Sequence, residues 1–194
     1  MAHKYTEPPS PRLRGRDAEQ RILADALGDA RSGRGVSLQF TGGPGLGKTA
    51  LLDHVRATAG AFTVLHAVGV ADESGLALAG LHRLLRPVAP ETDRLPEQQR
   101  TLLREALTLG RVTAADRFAV SAAVLDLVRL VAADRPLLLC VDDADLLDPP
   151  SLDALAFTAR RLTGSAVALV LTLQEGRGSA MEDPTLGPPG LPEG

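Results

Sequence analysis

The chain has 194 residues, of which 44% are hydrophobic and 23% are charged, and its formal net charge is −3. This length supports one sizeable domain with a hydrophobic core, and the small negative charge gives no overall attraction to nucleic acid. The single cysteine, Cys140, excludes an internal disulfide, and no apolar run reaches the about 18 residues that span a membrane. We therefore expect a cytoplasmic protein that does not enter a membrane and does not bind nucleic acid directly through this segment.

The chain begins with a proline-containing stretch and then alternates helix and strand. We expect residues 1–12 to form a flexible lead rather than a packed element. Apolar residues at helical spacing predict a helix over residues 17–30, and a short apolar strand follows over residues 36–41. A second helix over residues 49–59 and a second strand over residues 62–70 come next.

The same alternation continues to residue 175. The predicted helices cover residues 76–85, 97–109, 116–133 and 151–162, and the predicted strands cover residues 137–141 and 166–173. Ser151 is the expected N-cap of the last helix. Both strands are predicted from apolar runs, which are typical of strands buried on two faces. The pattern predicts an α/β fold, in which a parallel sheet carries helices on both faces.

Glycine and proline are frequent at the end of the chain, where we expect a disordered tail over residues 176–194. The predicted folded domain therefore covers residues 13–175. In an open parallel sheet the ligand binds at the carboxyl ends of the strands. The loops that follow the strands are thus the first places to look for a functional site.

One of these loops carries a phosphate-binding pattern. Residues 42–49 read GGPGLGKT and fit G-x-x-x-x-G-K-[ST], between an apolar strand and a helix. Only two of the 21 basic residues are lysines, and one of them stands at the lysine of this motif. The residues that we expect to surround the phosphates are Gly42, Gly43, Pro44, Gly45, Leu46, Gly47, Lys48, Thr49 and Ala50.

The chemistry of this pattern is specific for nucleoside triphosphates. The glycines allow successive backbone N–H groups to converge on phosphate oxygens, next to the positive end of the following helix. Lys48 is placed to reach the β- and γ-phosphates, and Thr49 to give its hydroxyl to Mg²⁺.

A pair of carboxylates follows the strand at residues 137–141. An apolar strand that ends in a carboxylate is the Walker B arrangement, so Asp142 is the predicted Mg²⁺ residue. Asp143 comes next and is expected to orient or deprotonate the attacking water. Taken alone, the pair could also be an ordinary exit from a strand into a turn; together with the phosphate loop it favours catalysis. We expect Asp145 and Asp148 to be turn and cap residues.

Motifs that the chain lacks argue against several classes of P-loop protein. The chain has no Asn-Lys-x-Asp segment for guanine and no Leu-Ser-Gly-Gly-Gln segment, which disfavours GTPases and transporter ATPases. A small-molecule kinase needs an arginine-bearing lid, and the helical patterns around Arg111 and Arg117 look structural. His54, His66 and His82 stand on separate elements, which disfavours a metal site made of histidines.

Another pair of basic residues, Arg160 and Arg161, ends the helix predicted over residues 151–162. A trans-acting arginine finger is one interpretation of the pair. Compensation of the helix dipole at this C-terminal end explains the pair without a partner.

Three separated segments resemble one known family. Residues 13–19 (LRGRDAE) resemble the Gly-Arg-Glu-x-Glu opening of AAA-like signalling ATPases. Residues 75–85 (GLALAGLHRLL) and 141–157 (VDDADLLDPPSLDALAF) are similar to segments of the large ATP-binding LuxR-type transcriptional regulators.

This resemblance implies a three-layer P-loop NTPase fold of the AAA/ASCE type. It also implies the STAND class of signal-transducing ATPases, which use ATP and Mg²⁺ as a slow hydrolytic switch. Arg14, Gly15 and Arg16 would then lie near the adenine. The implied partners are ATP and either a protein partner or a second copy of the chain.

The chain departs from the family in three places. Gln174 stands where the family usually has arginine near the γ-phosphate, and an amide gives a weaker hydrogen bond than a guanidinium. The fifth core strand has no candidate in the tail, and the regions that bind DNA are absent. The chain is thus expected to be a fragment of a larger regulator or a reduced ATPase domain. The alternative function is a non-catalytic, ATP-responsive interaction module.

Overall fold

Helices and parallel strands alternate along residues 15–110, 112–113 and 115–175, which a computed structural model describes. The elements are α1 (Asp17–Arg31), β1 (Val36–Gly42), α2 (Lys48–Thr58), β2 (Thr63–Val68), α3 (Ala79–Leu85), α4 (Glu97–Leu109), α5 (Arg117–Asp134), β3 (Leu137–Asp142), α6 (Pro149–Ala159) and β4 (Val167–Gln174). Arg14, Arg111, the lead at residues 1–12 and the tail at residues 176–194 lie outside the described residues.

The four strands form one parallel sheet in the order β1-β4-β3-β2. β4 therefore lies between β1, which enters the phosphate loop, and β3, which ends in the acid pair. Gly42 pairs in register with Gln174, and Val68 pairs with Asp142. All four strands thus end at one edge of the sheet, where both predicted motifs begin.

Helices cover both faces of this sheet, as the sequence predicts. α1 and α2 pack on one face through Leu23, Leu51 and Leu52, together with Leu138 and Cys140 of β3. On the other face, α3 to α6 form a larger core with alternate residues of the same strands. β3 is buried along its whole length, which explains why its sequence is continuously apolar. No helix in the described residues is long and apolar enough to cross a membrane.

Two of the predicted helix starts are wrong. α3 begins at Ala79 rather than at residue 76, because Leu78 stands before it in a left-handed conformation with φ of 64°. α6 begins at Pro149, and its N-cap is Asp148 rather than Ser151. Proline suits the first helical position because a backbone N–H at that position has no intrahelical acceptor, so no hydrogen bond is lost when it is absent. The Asp148 carboxylate accepts the backbone N–H of Ser151 at 3.0 Å.

The position of Cys140 in β3 gives a direct probe of this core. Cys140 is 0% exposed, and burial raises the pKa of its thiol to about 12. Only the thiolate reacts with disulfide reagents. We therefore expect a disulfide-exchange reagent at pH 8 to leave the native protein unmodified and to label one thiol per chain in denaturant. Rapid stoichiometric labelling of the native protein would contradict the burial of β3.

Candidate nucleotide-binding site

The loop between β1 and α2 forms the floor of an open cleft. Gly45 and Gly47 have φ values of 80° and 75°, in the left-handed region that favours glycine. The cleft has a volume of about 590 Å³. It is lined by Pro44, Gly45, Gly47, Lys48, Thr49, Ala50, Asp53, Asp143 and Gln174. The cleft thus brings the phosphate loop, the second carboxylate of the acid pair and the end of β4 together.

Lys48 is folded against its own loop. Its ammonium donates hydrogen bonds to the carbonyl oxygens of Gly42 at 2.8 Å and Gly43 at 3.0 Å, and the residue is only 8% exposed. These partners are dipoles rather than carboxylates, so they orient the ammonium without neutralising its charge. A positive charge therefore remains at the base of the cleft, where an anion would be attracted.

Thr49 and Asp142 join the two motifs directly. The Thr49 hydroxyl donates to the Asp142 carboxylate at 2.7 Å, although the residues are 93 positions apart. Mg²⁺ prefers oxygen ligands and takes one or two carboxylates together with phosphates and water. The two side chains present such a donor set. Among the described residues, no group of three or more histidine, cysteine or acidic side chains could hold a metal.

Thr172 of β4 holds the other oxygen of Asp142 and was missed by the sequence analysis. Its hydroxyl donates to the Asp142 carboxylate and accepts the backbone N–H of Asp143 at 2.9 Å. Thr172 is 0% exposed. The available signal was that a hydroxyl interrupts the apolar run of β4, where a buried polar group needs hydrogen-bond partners.

Asp143 and Gln174 face the same cleft from neighbouring strands. Asp143 has a left-handed backbone with φ of 46° and follows the end of β3. Gln174 ends β4, and its backbone N–H donates to Asp145 at 2.9 Å. The contact gives Asp145 the structural role that its position in a turn predicts. Beyond the phosphate loop, the cleft thus holds the carboxylates of Asp53 and Asp143 and the uncharged amide of Gln174.

The segment predicted to lie near the adenine packs against the phosphate loop. Arg16 donates to the carbonyl oxygen of Leu46 at 2.9 Å and pairs with Glu19 at 2.8 Å. Burial by itself raises the pKa of Glu19, but the hydrogen bond from Arg16, a backbone hydrogen bond and the charge of Arg16 together lower it more, so the net shift is downward. Gly15 precedes Arg16 with φ of 74°.

The remaining candidate residues lie on separate elements. His66 is on β2, where burial and the charge of Arg56 lower its pKa and favour the neutral imidazole. His54 is on α2 and His82 on α3. Arg161 lies with its guanidinium 3.8 Å from the centre of the Phe157 ring. This stacking gives Arg161 a local partner.

Comparison with known proteins adds a family and a fold. The family described as AAA ATPase domain matches residues 12–171. The crystal structure of Cdc6p from Pyrobaculum aerophilum is similar, with a TM-score of 0.53 and 19% identity over 89% of this chain. A structure of Drosophila ORC bound to AT-rich DNA and Cdc6 matches 86% of this chain with a TM-score of 0.42 and 12% identity.

The chain spans 42% of the first matched structure and 49% of the second. No curated protein sequence matches it. At this identity the first match supports the fold alone, and it agrees with the parallel sheet described above.

The role of Thr172 is testable by its replacement with valine, which has a similar shape but no hydroxyl. Thr172→Val removes the hydroxyl that donates to one oxygen of Asp142 and takes the nearer acceptor from the Asp143 N–H, so we expect the free energy of unfolding to fall by about 1–3 kcal/mol. Thr158→Val is the matched control, because the buried Thr158 hydroxyl only donates to the Ala154 carbonyl within α6. Equal effects in urea denaturation would contradict a special role for Thr172.

Proposed function

Because the chain belongs to the AAA ATPase domain family, we propose that it binds ATP with Mg²⁺ and hydrolyses the nucleotide slowly, as a nucleotide-dependent switch. The observation that carries this proposal is the hydrogen bond between Thr49 and Asp142. It supports the proposal because it brings the hydroxyl of the last residue of the phosphate loop to the carboxylate of Asp142, the last residue of β3. A hydroxyl and a carboxylate are oxygen ligands of the kind that Mg²⁺ prefers.

Binding uses the phosphate loop and its lysine. The backbone N–H groups of the loop bind phosphate oxygens, and Lys48 exchanges the carbonyls of Gly42 and Gly43 for the β- and γ-phosphates. Thr49 and Asp142 would hold Mg²⁺, which when bound would offset part of the negative charge on the triphosphate. Arg16 keeps the loop against α1 through its hydrogen bond to Leu46.

Hydrolysis uses the residues on the open side of the cleft. Asp143 orients the attacking water and accepts its proton, at a position one residue beyond the metal ligand. Gln174 donates from an uncharged amide toward the γ-phosphate. An amide stabilises the growing negative charge less than a guanidinium does, so turnover is slow.

We further propose that the switch is the ATPase domain of a LuxR-type transcriptional regulator of the STAND class. The three segments that carry this resemblance keep their order, and they lie within the region that the family matches. The proposed domain covers residues 13–175 and acts in the cytoplasm. It works with a protein partner or with a second copy of itself.

The second candidate function is a non-catalytic module in which bound ATP organises a surface for a partner. Gln174 in the cleft favours it, because an amide there supports binding better than it supports catalysis. Both candidate functions require ATP to bind.

The binding step is tested by Lys48→Ala. The change removes the positive charge at the base of the cleft, so we expect the affinity for an ATP analogue to fall at least 100-fold, as for a lost charge-assisted hydrogen bond of about 3 kcal/mol. Arg34→Ala is the control, since this basic side chain is 68% exposed and pairs only with Asp29 among the described residues. Unchanged binding by the Lys48 variant in isothermal titration would disprove the phosphate-loop assignment.

The two carboxylates are separated by their expected effects. Asp142→Asn should weaken the Mg²⁺-dependent part of ATP binding, because it replaces a negatively charged metal ligand by a neutral amide. Asp143→Asn should leave binding intact and reduce single-turnover hydrolysis by about 10²–10⁴-fold, the usual contribution of a positioned base. A hydrolysis rate that survives Asp143→Asn would mean that another residue activates the water.

Gln174→Arg tests whether the uncharged amide limits the rate of hydrolysis. If the site is otherwise competent, the arginine should raise the hydrolysis rate of the parent protein. Absence of hydrolysis in both the parent and the arginine variant, with ATP still bound, would favour the non-catalytic module.

A further inference from the structure

Two residues other than glycine have a left-handed backbone in the described part of the chain. They are Leu78, with φ of 64°, and Asp143, with φ of 46°. Such conformations are strained for residues that carry a side chain, and they persist only where the surrounding structure imposes them. One residue precedes α3 and the other is the proposed water-activating carboxylate. The contacts between them connect the two positions.

The first contact is made by Gly69, just after β2. Its backbone N–H donates to the carbonyl oxygen of Asp142 at 2.8 Å. A Cβ at this position would overlap the carbonyl oxygen of Asp143, so only glycine fits without a shift of the backbone. Arg83 of α3 holds the same stretch by donating to the Val68 carbonyl at 2.5 Å. The chain after β2 thus packs directly on the backbone of the acid pair.

The second contact is made by the buried carboxylate of Asp148, which is 2% exposed. It accepts the N–H groups of Leu78 at 2.7 Å and Gly80 at 3.1 Å, in addition to its cap on α6. The Ser151 hydroxyl donates to it at 2.7 Å and accepts the N–H of Leu81 at 2.9 Å. One carboxylate therefore fastens the start of α3 to the start of α6.

These contacts tie two segments together at both ends. We call residues 69–80 the β2–α3 segment and residues 142–148 the acid loop. Gly69 packs against the beginning of the acid loop, and Asp148 binds the end of the β2–α3 segment. Near that end, a Cβ on Gly80 would overlap the side chain of Leu147. A displacement of either segment is thus transmitted to the other, because closely packed atoms leave no space to absorb it.

We propose that Asp148 is a positioning residue, which sets the backbone of Asp143 by fastening the acid loop to the β2–α3 segment. This inference rests on the proposed function, in which Asp143 acts on water. Coupling between sites is reciprocal. Ligand binding at the acid pair therefore also stabilises the start of α3, and a change in the β2–α3 segment alters the position of Asp143.

The coupling is measurable by hydrogen exchange of single amides in the full chain. Asp148→Asn leaves one acceptor oxygen for four donors, so exchange at Leu78, Gly80 and Leu81 should accelerate about tenfold or more. If Asp148 also sets the backbone of Asp143, exchange at the amides of Gly69 and Asp143 should accelerate as well. Asp153→Asn is the matched control, because it makes the same change on the exposed side of α6. Asp153→Asn should leave the exchange rates of all these amides unchanged.

A milder substitution tests the same coupling if Asp148→Asn does not fold. Ser151→Ala keeps the carboxylate and removes only the hydroxyl that links it to Leu81. We expect a smaller acceleration at the same amides, including those of Gly69 and Asp143. If exchange changes only at the start of α3 in the variants that fold, Asp148 is a local cap and the proposal is wrong.

The reverse direction is tested from the β2–α3 segment. Gly69→Ala places a methyl group against Asp143, whereas Gly75→Ala in the same segment has open space around its Cβ. Gly69→Ala should accelerate exchange at Leu78, Gly80 and Leu81 and lower the single-turnover hydrolysis rate about tenfold or more, while the dissociation constant for ATP changes less than about threefold. Gly75→Ala should leave all three quantities as in the parent.

The outcomes separate this proposal from the proposed function. If the parent does not hydrolyse ATP, the catalytic function fails, but the exchange rates in the absence of nucleotide still decide the coupling. If the parent hydrolyses ATP and Gly69→Ala behaves like Gly75→Ala in both measurements, the coupling is disproved and the catalytic function remains.

Discussion

The carboxylate of Asp142 joins the elements that make up the site. Thr49 of α2 donates to one of its oxygens and Thr172 of β4 to the other, so that three elements meet at one side chain. Neighbouring strands lie about 4.8 Å apart. With β4 between them, β1 and β3 are separated by about twice that distance, and the phosphate loop and first turn of α2 bridge the gap. The order of the strands is therefore a requirement of the site.

The distribution of charge around this carboxylate supports the proposed use of Mg²⁺. Lys48 supplies one positive charge to the cleft, whereas Asp53 and Asp143 line it with negative charge and Asp142 stands beside it. Asp53 is partly compensated by its pair with Arg56 at 3.1 Å. A free polyanion would still meet several carboxylates. In the proposed function, Mg²⁺ would turn these contacts from repulsive to attractive, because the ion would be attracted by the carboxylates and by the phosphates.

The sequence predicted the parts of the site that depend on local pattern. The phosphate loop follows from the spacing of its glycines and Lys48, and β3 follows from five consecutive apolar residues before Asp142. Thr172 was missed because a threonine within a strand is also an ordinary strand former. Its function depends on a partner 30 positions away, in the neighbouring strand.

The contacts of Asp148 could likewise be predicted only in part from the sequence. The sequence predicted it to be a turn or cap residue, and the structure agrees for α6. Its bonds to the start of α3 join residues about 70 positions apart, which no local pattern contains. The start of α3 therefore depends on a carboxylate that is distant in the sequence. The start of α6 depends on the same carboxylate, but there Asp148 acts as a local N-cap next to Pro149.

Binding and hydrolysis use different atoms in the proposed function, so the one can be tight while the other is slow. The phosphate loop, Lys48 and Asp142 act on the bound triphosphate, whereas Asp143 and Gln174 act where the reaction occurs. A hydrogen bond from a charged group contributes about 1–2 kcal/mol more than one from a neutral amide. An uncharged Gln174 then lowers the rate about 5- to 30-fold relative to arginine. A long-lived bound state is what a switch requires, since a partner must find the protein before the nucleotide is lost.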